Sequence, residues 1–312
     1  MWLGTIKRGF LMGVKTTWLI GKIIFPITLF VSILQHTPVM DWLIQWIEPL
    51  MGLIGLSGDA AIPLVLGMTL NLYAAVAGAL SIELTVKEVF IIAMMLSFCH
   101  ALIIESAVSL KVGVKMWLVV TVRLGLAILS AIFIHLIWDG GSEIAQYGLI
   151  QLEDSEVKGI IPILISACKQ ASLGLIQLIL IVMPLMLFIQ FLKDYNGLRI
   201  FSKLMSPFTR MLGLNQNAAT TLAAGFIFGL AYGAGVMIDA VKHDGVSQKD
   251  ITLSFIFLLP CHAIIEDTLI FLPLGVPVWM ILIIRFTTAL LLAVVVKHIW
   301  WKQNNSVERK IA

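Results

Sequence analysis

Two short segments of the chain bring together histidine, cysteine and carboxylate side chains, residue types that exchange protons and bind transition metals. The first segment reads SFCHALIIESAVSL and the second reads LPCHAIIEDTLIFL. Their candidate functional residues are Cys99, His100, Glu105, Cys261, His262, Glu266 and Asp267. Because both segments lie in strongly apolar surroundings, these side chains are candidates for a binding site inside a membrane.

An arginine follows each segment in the next apolar stretch, Arg123 in one case and Arg285 in the other. Each lies about ten residues from the start of its stretch, close to mid-bilayer depth at about 1.5 Å per residue. An ionisable side chain in hydrocarbon costs roughly 2.5–3.5 kcal/mol on insertion scales, so such residues are candidates for function by default. The two arginines are therefore expected to balance the carboxylates.

Four interpretations of these residues stay open. Cys99, His100, Cys261 and His262 could hold a divalent transition metal such as Fe, Zn or Mn, although adjacent Cys and His residues cannot easily ligate one ion together. Histidine and carboxylate could form a proton relay, or Glu and Arg could bind an organic substrate such as a nucleoside. Alternatively, the arginines pair with Glu105 and Asp267 for stability alone, and the cysteines are small packing residues.

The chain is an internal duplication. A shift of 158 residues aligns Pro26 with Pro184 and Gly67 with Gly225, and after a four-residue insertion a shift of 162 aligns the two Cys-His-Ala motifs. Residues 99–124 share nine identities in 26 positions with their counterparts, including Cys, His, Gly, Trp and Arg. Chance matches between apolar helices do not align these residue types together, so we expect two copies of one fold.

Each half has the same predicted plan of six elements. In order they are an amphipathic lead-in (1–16 or 159–172), a proline-bearing span (17–36 or 173–192), a short amphipathic piece (39–55 or 197–213), a glycine-bearing span (59–80 or 217–240), the motif-bearing segment (86–110 or 248–272) and a last span (114–138 or 276–300).

Pro260 is expected to weaken the helix before the second motif. Gly225, Gly229 and Gly233 indicate a helix-packing face, with a flexible hinge as the alternative. Asn71 and Tyr73 could line a cavity.

The composition restricts the chain to one class. It has 312 residues, of which 60% are hydrophobic and 12% charged, with a net charge of +3. Soluble domains carry about 45–50% apolar and about 25% charged residues, so a soluble, disordered or nucleic-acid-binding protein is excluded. Three cysteines suggest no disulfide framework. We expect an all-α polytopic membrane protein with about eight to ten membrane elements, some of them amphipathic or re-entrant.

The domain prediction follows from the duplication. The first repeat covers 1–138, an acidic linker 139–158, the second repeat 159–301, and a basic tail 302–312. Cations near the N-terminus, in 193–210 and in the tail favour the cytoplasmic side, and the acidic linker favours the opposite side. This charge distribution requires an odd number of spans per half, hence an inverted repeat in the inner membrane with both termini cytoplasmic.

The duplicated proline-bearing span, the glycine-rich span and the motif helix resemble the nucleoside-recognition, or Gate, family of membrane proteins over nearly the whole chain. Another segment also carries the resemblance, and it contains Pro207, Gly213, Leu214, Asn217, Ala218 and Ala219. Related units occur in the membrane part of ferrous-iron transporter B and in spore maturation proteins. The resemblance implies a helical permease-like fold with two opposed repeats, and leaves the substrate open.

These observations predict a secondary transporter or permease rather than an enzyme. Its polar site would lie at the interface of the two repeats and bind a small solute or metal ion, with a nucleoside or a divalent cation as the main candidates and proton coupling as a further expectation. The predicted partners are the lipid bilayer, the solute, and a second copy or another membrane protein, without nucleic acid. The alternative is a non-transporting membrane assembly protein with a structural ion-pair cluster.

Overall fold

The structure, a computed structural model, describes residues 2–34, 37–147, 160–243 and 245–311, and most of these residues lie in helices. The helices are α1 (Trp2–Leu34), α2 (Pro38–Gly52), α3 (Ala61–Thr69), α4 (Leu72–Ala79), α5 (Val86–Phe98), α6 (Leu102–Lys111), α7 (Met116–Ile137), α8 (Ile160–Asp194), α9 (Gly197–Leu212), α10 (Ala218–His243), α11 (Gln248–Cys261), α12 (Glu266–Leu269) and α13 (Val278–Ile311). A 3-10 turn at Leu272–Leu274 precedes α13. The predicted all-α class is confirmed.

Five helical stretches of the described residues are long and apolar enough to cross a bilayer. They are Val86–Lys111, Met116–Ile137, Ile161–Asp194, Gln248–Leu269 and Val278–Ile299. A span needs about 20 predominantly apolar residues, and each of these stretches is apolar on average and at least 22 residues long. The protein is therefore a multi-pass membrane protein.

The two predicted lead-ins are not separate helices. α1 runs without interruption through residues 16 and 17, and α8 runs through residues 172 and 173. Nothing between lead-in and span breaks a helix, and Pro26 and Pro184 themselves lie inside α1 and α8. The predicted boundaries at these points were wrong because a change from amphipathic to apolar composition changes a helix's environment, not its backbone.

The chain divides into two compact units, and neither unit is a continuous half of the sequence. Unit 1 comprises Met1–Leu102, Leu124–Tyr195 and Glu266–Ile281, and unit 2 comprises Ile103–Arg123, Asn196–Ile265 and Leu282–Ala312. Each unit therefore combines segments from both sequence repeats. The chain leaves one unit for the other shortly after each Cys-His-Ala motif.

Within unit 1, the equivalent helices α1 and α8 pack against each other in antiparallel directions. A Cβ on Gly9 would lie 2.9 Å from Leu187, one on Gly13 would lie 2.7 Å from Met183, and one on Gly21 would lie 3.4 Å from Leu175. Positions thus rise along α1 as they fall along α8. Small residues permit this close approach of two membrane helices. Antiparallel packing of equivalent helices is the arrangement that an inverted repeat requires.

The two halves also share local backbone features, namely helix caps and left-handed glycines. A capping box of Thr85 and Glu88 begins α5, and a capping box of Ser247 and Asp250 begins α11 at positions shifted by 162. Such a box satisfies amides that a helix N-terminus leaves unpaired. Left-handed glycines recur at equivalent positions as well, for example Gly113 with φ 76° and Gly275 with φ 71°. The duplication is thus visible in backbone geometry.

The glycine-bearing spans are interrupted in both halves. In the first, Asn71 begins α4 by accepting a hydrogen bond from the Ala74 amide at 2.9 Å. In the second, Gly229 at the equivalent position has φ 83° and ψ 172°, which breaks α10. Across this break a Cβ on Gly233 would lie 2.9 Å from the Cα of Gly225. The glycines therefore allow a sharp bend within α10. The predicted close approach of another helix is present at Gly225, where a Cβ would lie 2.3 Å from Leu258 of α11.

Candidate functional site

The candidate site is built at two helix breaks, one at each Cys-His-Ala motif. Ala101 and Ala263 both have φ 41°, a left-handed conformation that alanine rarely adopts. The Ala101 amide donates to the Gly67 carbonyl at 2.8 Å, and the Ala263 amide donates to the Gly225 carbonyl at 3.1 Å. The same strained turn therefore occurs in both halves, held by equivalent hydrogen bonds. Strained residues of this kind concentrate at functional sites.

Pro260 does not cause the second break. It lies inside α11, which continues to Cys261, and the chain departs from helical geometry at His262, where ψ is 156°. The first half has Phe98 at the equivalent position and breaks one residue earlier, at Cys99, where φ is −139° and ψ is 68°. The expected role of the proline is thus wrong, and the break depends on the turn at the motif itself.

Each motif histidine turns one ring nitrogen back to its own helix. His100 Nδ1 lies 2.8 Å from the Leu96 carbonyl oxygen, and His262 Nδ1 lies 3.1 Å from the carbonyl oxygens of Leu258 and Leu259. Because a carbonyl oxygen only accepts, Nδ1 must carry a proton in both residues. The Nε2 atom of each ring is then the one available to a proton or a ligand.

In unit 1, His100 lies beside an acidic pair. His100 Nε2 is 3.6 Å from Asp267 Oδ2, and both side chains are buried. The neighbouring Glu266 accepts a hydrogen bond from the Tyr73 hydroxyl at 2.9 Å. One imidazole, two carboxyl groups and one phenol thus form a cluster, which we call the unit 1 cluster.

In unit 2, Glu105 lies between a histidine and an arginine. Its Oε2 atom is 2.7 Å from Arg123 Nη2 and 3.2 Å from His262 Nε2. Arg123 and His262 are both fully buried. These three residues form the unit 2 cluster, in which the predicted pairing of Arg123 with Glu105 is present.

Arg285 lies against the backbone of the second helix break. Its Nε donates to the Pro260 carbonyl at 2.9 Å, and its Nη2 donates to the His262 carbonyl at 2.7 Å. Carbonyls at the end of a helix lack intrahelical partners and carry partial negative charge, so a buried guanidinium stabilises them. Arg285 thereby fixes the backbone of the second break.

The histidine of each half faces the carboxylate of the other half. His100 comes from the first half and Asp267 from the second, whereas His262 comes from the second half and Glu105 from the first. Glu105 and Asp267 are themselves equivalent at the shift of 162. Reciprocal pairing of this kind is expected where two related copies associate about a two-fold axis. Both repeats therefore contribute to each cluster.

Each histidine–carboxylate pair has the geometry for one bound cation. Zinc-type ions bind imidazole nitrogen at about 2.0–2.1 Å and carboxylate oxygen at about 2.0–2.2 Å, so two ligands of one ion lie a little over 3 Å apart. The observed separations of 3.2 and 3.6 Å match this, and the 3.2 Å between His262 and Glu105 also matches the heavy-atom distance of a hydrogen bond.

The cysteines of the predicted metal set are buried beside the motifs. Cys99 and Cys261 have no exposed surface, and the Cys261 thiol donates to the Phe257 carbonyl at 3.1 Å within its own helix. A thiol engaged in this way acts as a small packing residue that keeps its proton. The four-residue metal set stays a prediction, and the histidines fit it better than Cys261 does.

Tyr73 belongs to the site although the predicted set of site residues did not include it. The sequence indicated only that Tyr73 could line a cavity, because its hydroxyl group lies in an apolar span, which is equally typical of an interfacial tyrosine. Its contact to Glu266 spans 193 residues of sequence and depends on the fold.

Comparison with known proteins agrees with these observations. The family model described as Gate, nucleoside recognition, matches residues 17–114 and again residues 175–287. The two matches begin 158 residues apart, the same shift that aligns the halves. No solved structure matches the chain.

One curated relative covers nearly the whole chain. It is the uncharacterized membrane protein YvoD of Bacillus subtilis (strain 168), which is 57% identical over 304 residues, 97% of each chain. Since the family model matches most of the sequence in two separate copies, the chain belongs to the Gate family of membrane proteins.

Proposed function

We propose that this protein is a secondary transporter for a small solute or metal ion, coupled to protons through its two histidine–carboxylate pairs. The observation that carries the proposal is the orientation of the rings. With a proton fixed on Nδ1, a neutral ring would turn the Nε2 lone pair toward a carboxylate oxygen 3.2 or 3.6 Å away. That contact is favourable only when a proton or another cation lies between the two atoms.

The burial of these groups supports transport over a purely structural role. Ionisable side chains within membrane spans cost free energy, and they mark ion pathways and proton relays in pumps and transporters. A broken helix at this depth presents backbone groups to a bound solute, as in transporters built from two repeats. Both halves contribute to each cluster, so a movement of one repeat against the other would change the affinity of the site.

The substrate is proposed as one of two classes. The family description, nucleoside recognition, favours a nucleoside, whose hydroxyl and base groups would bind carboxylates, arginine and Tyr73. The nitrogen–oxygen pairs favour a divalent cation instead, since imidazole and carboxylate are both ligands of Mn, Fe and Zn. In either case we propose that the chain works without catalysing a chemical reaction.

We further propose the inner, cytoplasmic membrane as its location, with both termini on the cytoplasmic side. Helix α13 continues through the predicted basic tail as far as Ile311. Of the predicted acidic linker, residues 148–158 lie outside the described part of the chain. Partners beyond the bilayer and the solute would be a second copy of the chain or another membrane protein.

A membrane assembly protein is the second candidate, favoured by two observations. Arg123 neutralises Glu105 at 2.7 Å, and Arg285 holds the carbonyls of the second break. Both contacts would serve a structural ion cluster equally well, and neither requires a substrate.

The test compares wild type with His100→Gln and His262→Gln, and with His298→Gln, an exposed histidine outside both clusters, as the matched control. Purified protein in detergent is first heated with uridine, adenosine, Mn²⁺ or Zn²⁺ between pH 5.5 and 8. Proteoliposomes containing a trapped pH dye are then exposed to any probe that raises Tm.

We expect one probe to raise the Tm of wild type and of the control and to drive proton movement in both. Both effects should be lost in the cluster variants, because glutamine cannot hold the proton. If no probe changes Tm or internal pH, and the cluster variants only lower Tm, the assembly protein is the better interpretation.

A further inference from the structure

We propose that α9 lies in the membrane interface and binds the headgroups of anionic phospholipids through its outer face. One face of this helix belongs to the core of unit 2. Met205 and Leu212 are buried there, and the Phe208 ring packs edge-on against Phe286 with centroids 5.3 Å apart. The helix is therefore held in place by this face, while residues on its outer face are exposed.

The outer face carries two stripes that differ in character. Arg199, Lys203 and Arg210 are exposed and, at 100° per residue, point within about 40° of one another. A second stripe, about 100° further round the helix, consists of Ile200, Leu204 and Met211, which are 58%, 57% and 44% exposed. Cations beside exposed apolar side chains are the pattern of a helix that lies in the headgroup region with its apolar stripe toward the acyl chains.

The equivalent helix of the first half shows which part of this pattern the fold needs. α2 keeps the exposed apolar stripe, with Trp42 in place of Ile200 and Trp46 in place of Leu204, 58% and 72% exposed. It does not keep the cations, since Gln45 takes the place of Lys203. The apolar stripe is thus common to both halves, whereas the positive charge is particular to α9. Because α2 forms without these cations, a negatively charged partner explains their presence in α9 better than a role in folding does.

A lysine of α13 adds a further positive charge at the C-terminal end of α9. Gly213 ends the helix with φ 69°, and Lys297 of α13 donates to the Met211 carbonyl at 2.7 Å. α9 thus has three exposed cations of its own and a fourth cation, Lys297 of α13, at its C-terminal end. Juxtamembrane cations attract anionic lipid with roughly fivefold gain in affinity each, and the attraction decays within a Debye length. The adjoining apolar stripe selects a lipid over a soluble anion, because it needs an acyl chain beside the headgroup.

The experiment titrates purified protein in zwitterionic mixed micelles with phosphatidylglycerol, with phosphatidylcholine, or with glycerol 3-phosphate, and follows Tm. The variant is Arg199→Gln/Lys203→Gln. The matched control is Lys115→Gln/Lys249→Gln, which removes the same charge from two exposed lysines of unit 2 outside α9. We expect phosphatidylglycerol to raise the Tm of wild type and of the control, and its apparent Kd to rise at least tenfold in the variant. The difference should shrink in 0.5 M NaCl.

Three results would overturn the proposal. Equal stabilisation by phosphatidylglycerol and phosphatidylcholine would exclude charge recognition. An equal loss in the control would assign the effect to net charge rather than to α9. Stabilisation by glycerol 3-phosphate alone would indicate a site for a small soluble anion. Because the titration uses no transport substrate, its outcome is independent of the function proposed above.

Discussion

At the scale of single residues, the contact between Arg123 and Glu105 gives the sharpest expectation. Removing one member of a buried ion pair leaves the other charge without compensation and costs about 3–5 kcal/mol. Arg123 is fully buried, and it lies 2.7 Å from Glu105. Arg123→Gln should therefore lower the free energy of unfolding in detergent by this amount, as measured by chemical unfolding.

The double variant Arg123→Gln/Glu105→Gln should recover a large part of that loss, because no unpaired carboxylate remains. Lys249→Gln, at an exposed cation, is the control and should change stability by no more than about 0.5 kcal/mol. If the double variant is as unstable as the single one, then the cost comes from lost packing around the guanidinium and not from the charge of Glu105.

Residue types and their repetition predicted most members of the two clusters and one of their pairings, that of Arg123 with Glu105. The shift of 162 identified Glu105 as the counterpart of Asp267, and both indeed lie beside a histidine. The sequence did not indicate that each histidine lies beside the carboxylate of the other half, or that Arg285 donates to the carbonyls of Pro260 and His262. Such choices depend on how side chains meet in three dimensions, which similarity between two halves cannot specify.

At the scale of helices, the break at Gly229 is the feature most open to test. Its φ of 83° and ψ of 172° belong to a region that residues with a Cβ almost never occupy. Gly229→Ala should therefore destabilise the protein by about 1–3 kcal/mol, through strain at this residue or through straightening of α10. Thermal unfolding in detergent would measure the loss.

Gly235→Ala in the same helix is the matched control. A Cβ at Gly235 meets no atom within 4 Å, and alanine favours helix over glycine by about 0.8–1.0 kcal/mol. This substitution should leave stability unchanged or raise it. Equal effects of the two substitutions would mean that α10 is not broken at Gly229.

Periodicity and composition located the helices well and their interruptions poorly. The amphipathic pieces predicted at 39–55 and 197–213 correspond to α2 and α9. The breaks at Ala101 and Ala263 could not be predicted from the local sequence, because alanine favours helix and gives no signal of a left-handed turn. Their cause is tertiary, in the hydrogen bonds to the Gly67 and Gly225 carbonyls. A break set by distant contacts can be inferred only once those contacts are known.

At the scale of the whole molecule, the central question is whether the two halves have opposite orientations in the membrane. Antiparallel packing of α1 on α8 supports this arrangement. The charges of the equivalent helices support it independently, because α9 carries three exposed cations where α2 has Gln45 and Glu48 on its polar face. Cationic segments favour the cytoplasmic side of a membrane. We therefore predict that α2 and α9 face opposite sides.

Equivalent single cysteines would decide the question. In a Cys168→Ser background, Gln45→Cys and Lys203→Cys place thiols at positions 158 residues apart, both exposed, while the native Cys99 and Cys261 are fully buried. A membrane-impermeant maleimide should label the first in intact cells and the second only after permeabilisation. The parent without either new cysteine controls for background labelling. Labelling of both from the same side would mean that the halves are parallel, and the reciprocal histidine–carboxylate pairs would then need an origin other than an inverted repeat.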